Sequence, residues 1–194
     1  MSDYPRHLIL ASASPYRREL LERIVPGFEI AAADIDESAH PGEAPADLAV
    51  RLAADKAAAV AAIHPEAIVI GSDQVAARSG KLLSKPGSAA NAIRQLGECS
   101  GRRVMFYTAV SISGPGFAEQ HLDTTTVDFR ELQAAEIERY VERDEPWNCA
   151  GSFRAEGLGP TLFKSILSHD PTALIGLPLI WVAGSLRRAG WTLP

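Results

Sequence analysis

Short apolar runs and amphipathic stretches alternate along the chain, and their spacing predicts its elements. The run over His7–Ala11 has the length and continuity of a buried strand. Ser14-Pro15 then opens a helix, with serine as the cap and proline at the first helical position, and Pro26-Gly27 closes it after Ile24. Phe28–Ala33 predicts a second strand. A helix follows from Pro45 to Ile63, stopped by His64-Pro65. "AIVIGSDQVA" is a continuous apolar strand, "ARSGKLLSKPG" a hairpin and Ala89–Glu98 a short helix. "RVMFYTAVSIS" turns at Gly114-Pro115-Gly116 into the alternating strand "LDTTTVDF". Ala134–Arg143 is an amphipathic helix and "TLFKSIL" a strand. Leu177–Ala189 is a terminal helix with Arg187 and Arg188 at its negative end. Strands alternating with helices, plus a meander in the middle, imply an α/β fold on a mixed sheet, as one domain over residues 1–194.

Composition narrows the function classes. At 194 residues, with 46% hydrophobic and 22% charged residues, the chain has the balance of an ordinary globular protein. A net charge of −5 argues against a nucleic-acid partner, which would need a basic face. It leaves room for a small anionic ligand, since a few local cations suffice. Cys99 and Cys149 fit no CxxC pattern and read as buried small hydrophobes in a reducing, cytoplasmic setting. The first apolar run is too short for a secretory signal, and "ALIGLPLIWVAGSL" is too short and broken to span a bilayer, so no membrane role is expected. The histidines lack zinc-site spacing.

Three departures from pattern carry candidate chemistry. Arg17 and Arg18 stand in the first turn of a helix, the positive end of its dipole, where cations are disfavoured. With Ser12, Ser14 and the free N–H groups of the helix start they make a phosphate-sized cradle; a solvated helix start is the plainer reading. Winding residues 45–63 at about 100° per residue puts Leu48, Leu52, Ala59 and Ile63 on one stripe with Lys56 in its middle. Such a lysine snorkels, pairs, or reaches an anion in a cleft. Asp73 is a lone carboxylate in an apolar strand beside Gly71, and acts as half of a buried pair, a metal ligand or a general base. Asp34, Asp36 and Glu37 crowd a loop in a manner that suits solvent or Mg²⁺, and Lys85 is fixed in a Lys-Pro-Gly turn. Four cations and several carboxylates form the inventory of metal-assisted phosphoryl chemistry.

Those pieces resemble the Maf-like nucleoside triphosphate pyrophosphatases. The resemblance rests on "LILASASPYRRELL", "DES" with Glu37, "RLAADKA" with Lys56, "IGSDQV" with Asp73, "SKPG" with Lys85 and the late "GLPL". It covers nearly the whole chain, Leu8 to about Arg188. It implies an elongated mixed sheet with helices in two lobes around a central cleft, as in inosine triphosphatases. It further implies hydrolysis of a nucleoside triphosphate to the monophosphate and pyrophosphate with a divalent metal, Mg²⁺ or Mn²⁺. By the same resemblance Arg17, Arg18, Lys56 and Lys85 hold the triphosphate, Glu37 and Asp73 bind metal, and Asp73 accepts the proton. Ser12 and Ser14 belong to the substrate site.

Within the family the chain looks like the 7-methyl-GTP branch. Members preferring dTTP or UTP read S-P-R-R-R, with Thr after the aspartate and Gln in the late loop, where this chain has Tyr16, Gln74 and Glu156. A 7-methylguanine ring is cationic and is attracted by an aromatic face such as that of Tyr16. A carboxylate such as Glu156 accepts from the N1–H and N2–H₂ edge of guanine. The rivals are a dTTP/UTP-preferring pyrophosphatase and a non-catalytic nucleotide sensor on the same scaffold. A sensor has no need of both Glu37 and Asp73. A haloacid-dehalogenase-type phosphatase, suggested by "IAAADIDES", lacks the later acidic pair. The expected partner is a small nucleoside triphosphate, and the sequence leaves a homodimer open.

Overall fold

The computed structural model describes residues 7–194, so the single-domain expectation over 1–194 includes six residues outside the described ones. Seven strands form one mixed sheet. Strands β1 (Leu8–Leu10), β2 (Glu29–Ile30) and β3 (Ile68–Arg78) are parallel, in the order β2-β1-β3. β4 (Lys81–Leu83), β5 (Arg103–Gly114), β6 (Phe117–Phe129) and β7 (Phe163–Leu167) complete it by antiparallel pairing. β5 and β6 make one long hairpin from Arg103↔Asp128 to Gly114↔Phe117, the meander the alternating pattern predicts.

Helices α1 (Pro15–Glu22) and α5 (Leu179–Arg188) cover one end of the sheet, and α3 (Ala89–Cys99) and α4 (Ala134–Asp144) the other. Two cores result. Leu10, Leu20, Ile70, Ile112 and Val182 fill the first; Leu96, Phe106, Val127, Phe129 and Ile137 fill the second. Against β3 and β5 runs the long α2 (Pro45–Ala61), bringing Leu48, Leu52 and Ala53 onto Val75 and Ala109. Gly71 makes that contact close: a Cβ there would overlap the Ala53 carbonyl oxygen and the Ala57 backbone.

Two expectations are corrected. α2 ends at Ala61, so Ile63 turns out of the helical stripe and is 76% exposed; Val60 takes its place on the core face. The second strand pairs only over Glu29–Ile30, because its neighbour β1 ends at Leu10 and offers no further ladder. The residues that follow, Ala32 and Ala33, are left to line a cleft.

Candidate active site

The cleft exists because β3 is paired unevenly. On one side it bonds to β5 continuously from Val69 to Ala77. On the other it meets β1 only as far as Ile70 and β4 only from Ala76, so Gly71–Val75 present a free edge. Loops after β1 and β4, and the segment after α4, converge over that edge around a cavity of about 450 Å³. Strand alternation sends Asp73 to the α2 side and Gln74 to the opposite side, so one open edge serves two different groups.

At one end the cavity is charged. Lys56 Nζ lies 2.6 Å from Glu37 Oε1 and 2.6 Å from Asp73 Oδ1. Lys56 and Asp73 are only 7% and 8% exposed, whereas the Glu37 side chain is half-exposed. A buried ammonium held between two carboxylates meets the requirement for burying charge, and its hydrogen bond holds the Glu37 carboxyl below the ordinary glutamate range. Lys56 and Glu37 line the cavity, while Asp73 joins it through Lys56.

Arg17 enters from α1. Its Nη1 donates to Ser12 Oγ at 3.2 Å and its Nε to the Gly176 carbonyl at 3.0 Å. Burial pulls this guanidinium below its ordinary range, against the attraction of Asp73 and Glu37, yet it makes no ion pair with either within the described residues. Ser14 caps α1 by accepting from Arg17 N, and Ser12 accepts from Ser14 N, so both hydroxyls fix the loop that carries the arginine. Lys85 is exposed at the rim, and its turn is tied down by Gly87 N donating to the Trp147 carbonyl at 3.0 Å. Gly87 sits at φ 68°, a conformation suited to glycine.

The opposite end holds Tyr16, Cys149, Gln74 and Glu156. Burial pushes the Tyr16 phenol up to about 12, so it stays protonated, and Cys149 Sγ donates to its oxygen at 3.6 Å. The Arg154 guanidinium lies 6.0 Å from the Tyr16 ring centroid and bonds Glu156 Oε1 through Nε at 3.2 Å. Gln74 Nε2 lies 3.0 Å from Thr108 Oγ1 and from the carbonyls of Ala173 and Leu174, and its two N–H groups are shared among these three acceptors. Its amide nitrogen is thereby committed to holding the 173–176 segment, leaving the carbonyl oxygen as its acceptor toward the cleft.

The structure does not bring Arg18 into the cleft. Neighbouring residues on a helix point about 100° apart, and with Arg17 inward, Arg18 lies outward, its Nε 2.7 Å from Glu22 Oε1. Asp36 also faces solvent, where it accepts from Ser38 N. Cys99 is buried as expected, but Cys149 is half-buried and lines the cavity because its 3₁₀ segment crosses the cleft wall. Sequence reading quoted Gly176 only as the start of "GLPL" and gave it no role; its carbonyl receives both Arg17 and Ser72 Oγ, at φ 133°. A glycine inside the apolar run "ALIGLPL" was the available signal.

Among the described residues no group of three or more His, Cys, Asp or Glu side chains is placed to enclose a metal ion. Glu37 and Asp73 nonetheless converge on one point, now held by Lys56. Two carboxylates suit Mg²⁺ bound jointly with substrate phosphates, since that ion keeps waters and seldom uses an all-protein cage.

Comparison with known proteins places the chain in a family. The family model for "Maf-like protein" matches residues 7–189. A protein of Xanthomonas campestris pv. campestris (strain 8004), named 7-methyl-GTP pyrophosphatase, is 58% identical over 188 residues, covering 96% of this chain and 98% of its own. One of the same name from Alcanivorax borkumensis is 46% identical over 196 residues, with complete coverage of both chains. Among solved structures, the Ham1 protein of Staphylococcus aureus aligns with a TM-score of 0.48 and 18% identity over 79% of this chain and 90% of its own, too remote to bear on the reaction.

Proposed function

The chain belongs to the Maf-like family, and from that premise we propose that it hydrolyses the α–β phosphate bond of 7-methyl-GTP or a related modified guanine nucleotide, releasing the monophosphate and pyrophosphate. The observation that carries this reading is one cleft with Arg17, Lys56 and Lys85 around Glu37 and Asp73 at one end, and Tyr16, Gln74 and Glu156 at the other. The relatives' name supplies the substrate class.

The cations bind and orient the triphosphate, whose charge calls for several of them at once. Its arrival competes for Lys56 Nζ and leaves Asp73 with less of its neutralising partner, which makes the carboxylate a better base. Asp73 Oδ1 is the oxygen committed to Lys56, so Oδ2 is the one that takes the proton of the attacking water. Water oxygen bonds to the α-phosphorus, the bond from that phosphorus to the bridging oxygen breaks, and pyrophosphate leaves with the electron pair. Glu37 and Asp73 are the residues that would hold Mg²⁺ or Mn²⁺, which when bound supplies charge neutralisation to the phosphates. At the other end the Tyr16 ring attracts the cationic base, and Glu156 with the Gln74 carbonyl accepts from the guanine donors. A nucleotide substrate and two free thiols support a cytoplasmic setting.

The deciding experiment offers the protein 7-methyl-GTP, GTP, dTTP and UTP, with and without chelator, scoring pyrophosphate and orthophosphate separately. The expected result is metal-dependent release of pyrophosphate, fastest from 7-methyl-GTP. Orthophosphate as first product, or full activity in chelator, overturns the mechanism; preference for dTTP or UTP overturns the base assignment alone.

A further inference from the structure

A second, smaller concavity of about 200 Å³ lies outside this cleft, between α4 and the 158–161 turn. Arg130, Arg139 and Arg143 all line it, with Glu136 as its one carboxylate. Glu136 is already neutralised: Arg130 grips it through both Nη atoms at 3.1 Å, and it caps the helix by accepting from Gln133 N. Arg130 is in turn fixed by its Nε donating to the Thr161 carbonyl at 2.7 Å. Arg139 and Arg143 remain. They stand four apart on one helix face, where like charges repel, and neither has an ion-pair partner among the described residues. Two guanidiniums without an ion-pair partner among the described residues, Arg139 acting on Glu136 only at longer range, and a third held rigidly thus face one hollow large enough for a small oxyanion.

We propose that this concavity binds a phosphate-type oxyanion, orthophosphate or pyrophosphate, at a site separate from the nucleotide cleft. Guanidinium forks match the oxygens of such ions, and Arg143 adds its charge within the last turn of α4. The site shares a wall with the nucleotide cleft. Leu158 and Thr161 line the hollow, while Phe153 and Glu156 of the same segment line the cleft. Between them Tyr140 donates to Asp144 Oδ2 at 2.6 Å and accepts from Arg154 N, and Asp144 Oδ1 accepts from Leu158 N. An anion seated against α4 and Thr161 therefore stiffens the segment that carries Glu156.

Titration calorimetry at constant ionic strength, with sodium pyrophosphate and with orthophosphate, tests this without turnover. The variant Arg139→Gln/Arg143→Gln keeps helix-forming residues on an exposed face and leaves Arg17, Lys56 and Lys85 intact. The wild type is expected to bind one anion more than the variant, or to show one component at least tenfold tighter. Which of the two ions gives that difference identifies the ligand. As a second readout, the anion slows amide exchange over residues 154–161 in the wild type and not in the variant. Equal stoichiometry and equal affinities in both proteins overturn the proposal, whatever the fate of the pyrophosphatase reading.

Discussion

The two ends of the nucleotide cleft are built on different principles. The charged end stands on regular elements: Lys56 projects from the fourth turn of α2, Asp73 from the middle of β3, and they hold each other at 2.6 Å. The base-facing end stands largely on irregular chain. Cys149 precedes a 3₁₀ turn, Glu156 is exposed in a loop, and Gln74 reaches across to the carbonyls of 173 and 174. Periodic elements fix reacting groups by packing, whereas loops let the contacts to a base change without disturbing the core. Under the proposed function the difference separates a constant reaction from an adjustable specificity, and substitutions at the two ends should fail in different ways.

The largest effect is expected at Lys56. Lys56→Met keeps the apolar stem but strips the cation from a buried Asp73, and an uncompensated buried charge costs about 3–5 kcal/mol. For a chain of this size the melting temperature should fall by roughly 10 °C. Adding Asp73→Asn to that variant should restore much of the loss; an unchanged melting temperature would show that the charged end is not anchored by this pair. Asp73→Asn alone comes next. It keeps shape and removes charge, so kcat should fall by about 10²-fold while nucleotide affinity holds within a few-fold. Activity equal to wild type removes Asp73 from the mechanism.

Acid sharpens the same end. Lys56 holds the Glu37 carboxyl below its ordinary range, so the folded state binds this proton less readily than the unfolded chain. The stability Glu37 contributes is therefore fully present above the ordinary glutamate value of about 4.3 and is lost as pH falls through the lowered folded value. Denaturant melts of wild type and Glu37→Gln should differ at neutral pH and converge in acid. A gap that widens in acid contradicts the assignment.

How much of this was legible in the sequence follows the same division. Lys56 and Asp73 announced themselves because each breaks the apolar pattern of a periodic element, and Gly71 beside them marked the close approach of α2. The mixed sheet and its meander were legible from the same periodicity. Arg17 and Arg18 were read as equals, since adjacency in sequence says nothing about which one a short helix turns inward. Ile63 was read as a core residue because the stripe was extended past the last helical turn. Cys149, Arg154 and Gly176 lie where no period operates, and only three-dimensional closure of the loops assigns them a place.

At the base-facing end the expected effects are smaller and fall on selectivity. Glu156→Gln replaces an acceptor-only carboxylate with a group that brings an unwanted donor to the guanine edge. Losing a charge-assisted hydrogen bond costs about 1.5–3 kcal/mol, and since Arg154 already engages Glu156, roughly tenfold loss of guanine preference in kcat/KM is expected. Tyr16 gives the smallest change and the finest test. Tyr16→Ala removes the aromatic face, worth about 0.5–2 kcal/mol to a cation. The ratio of kcat/KM for 7-methyl-GTP over GTP should therefore drop by about threefold to tenfold, with GTP itself less affected. Tyr16→Phe keeps the face and discards only the hydroxyl, whose partner is the Cys149 thiol, so its ratio should match wild type. A Phe variant that loses the preference along with the Ala variant would transfer the role from the ring to the hydroxyl. Recognition would then rest on hydrogen bonding and on the Glu156 carboxylate, with no aromatic face reading the methyl-induced charge on the base.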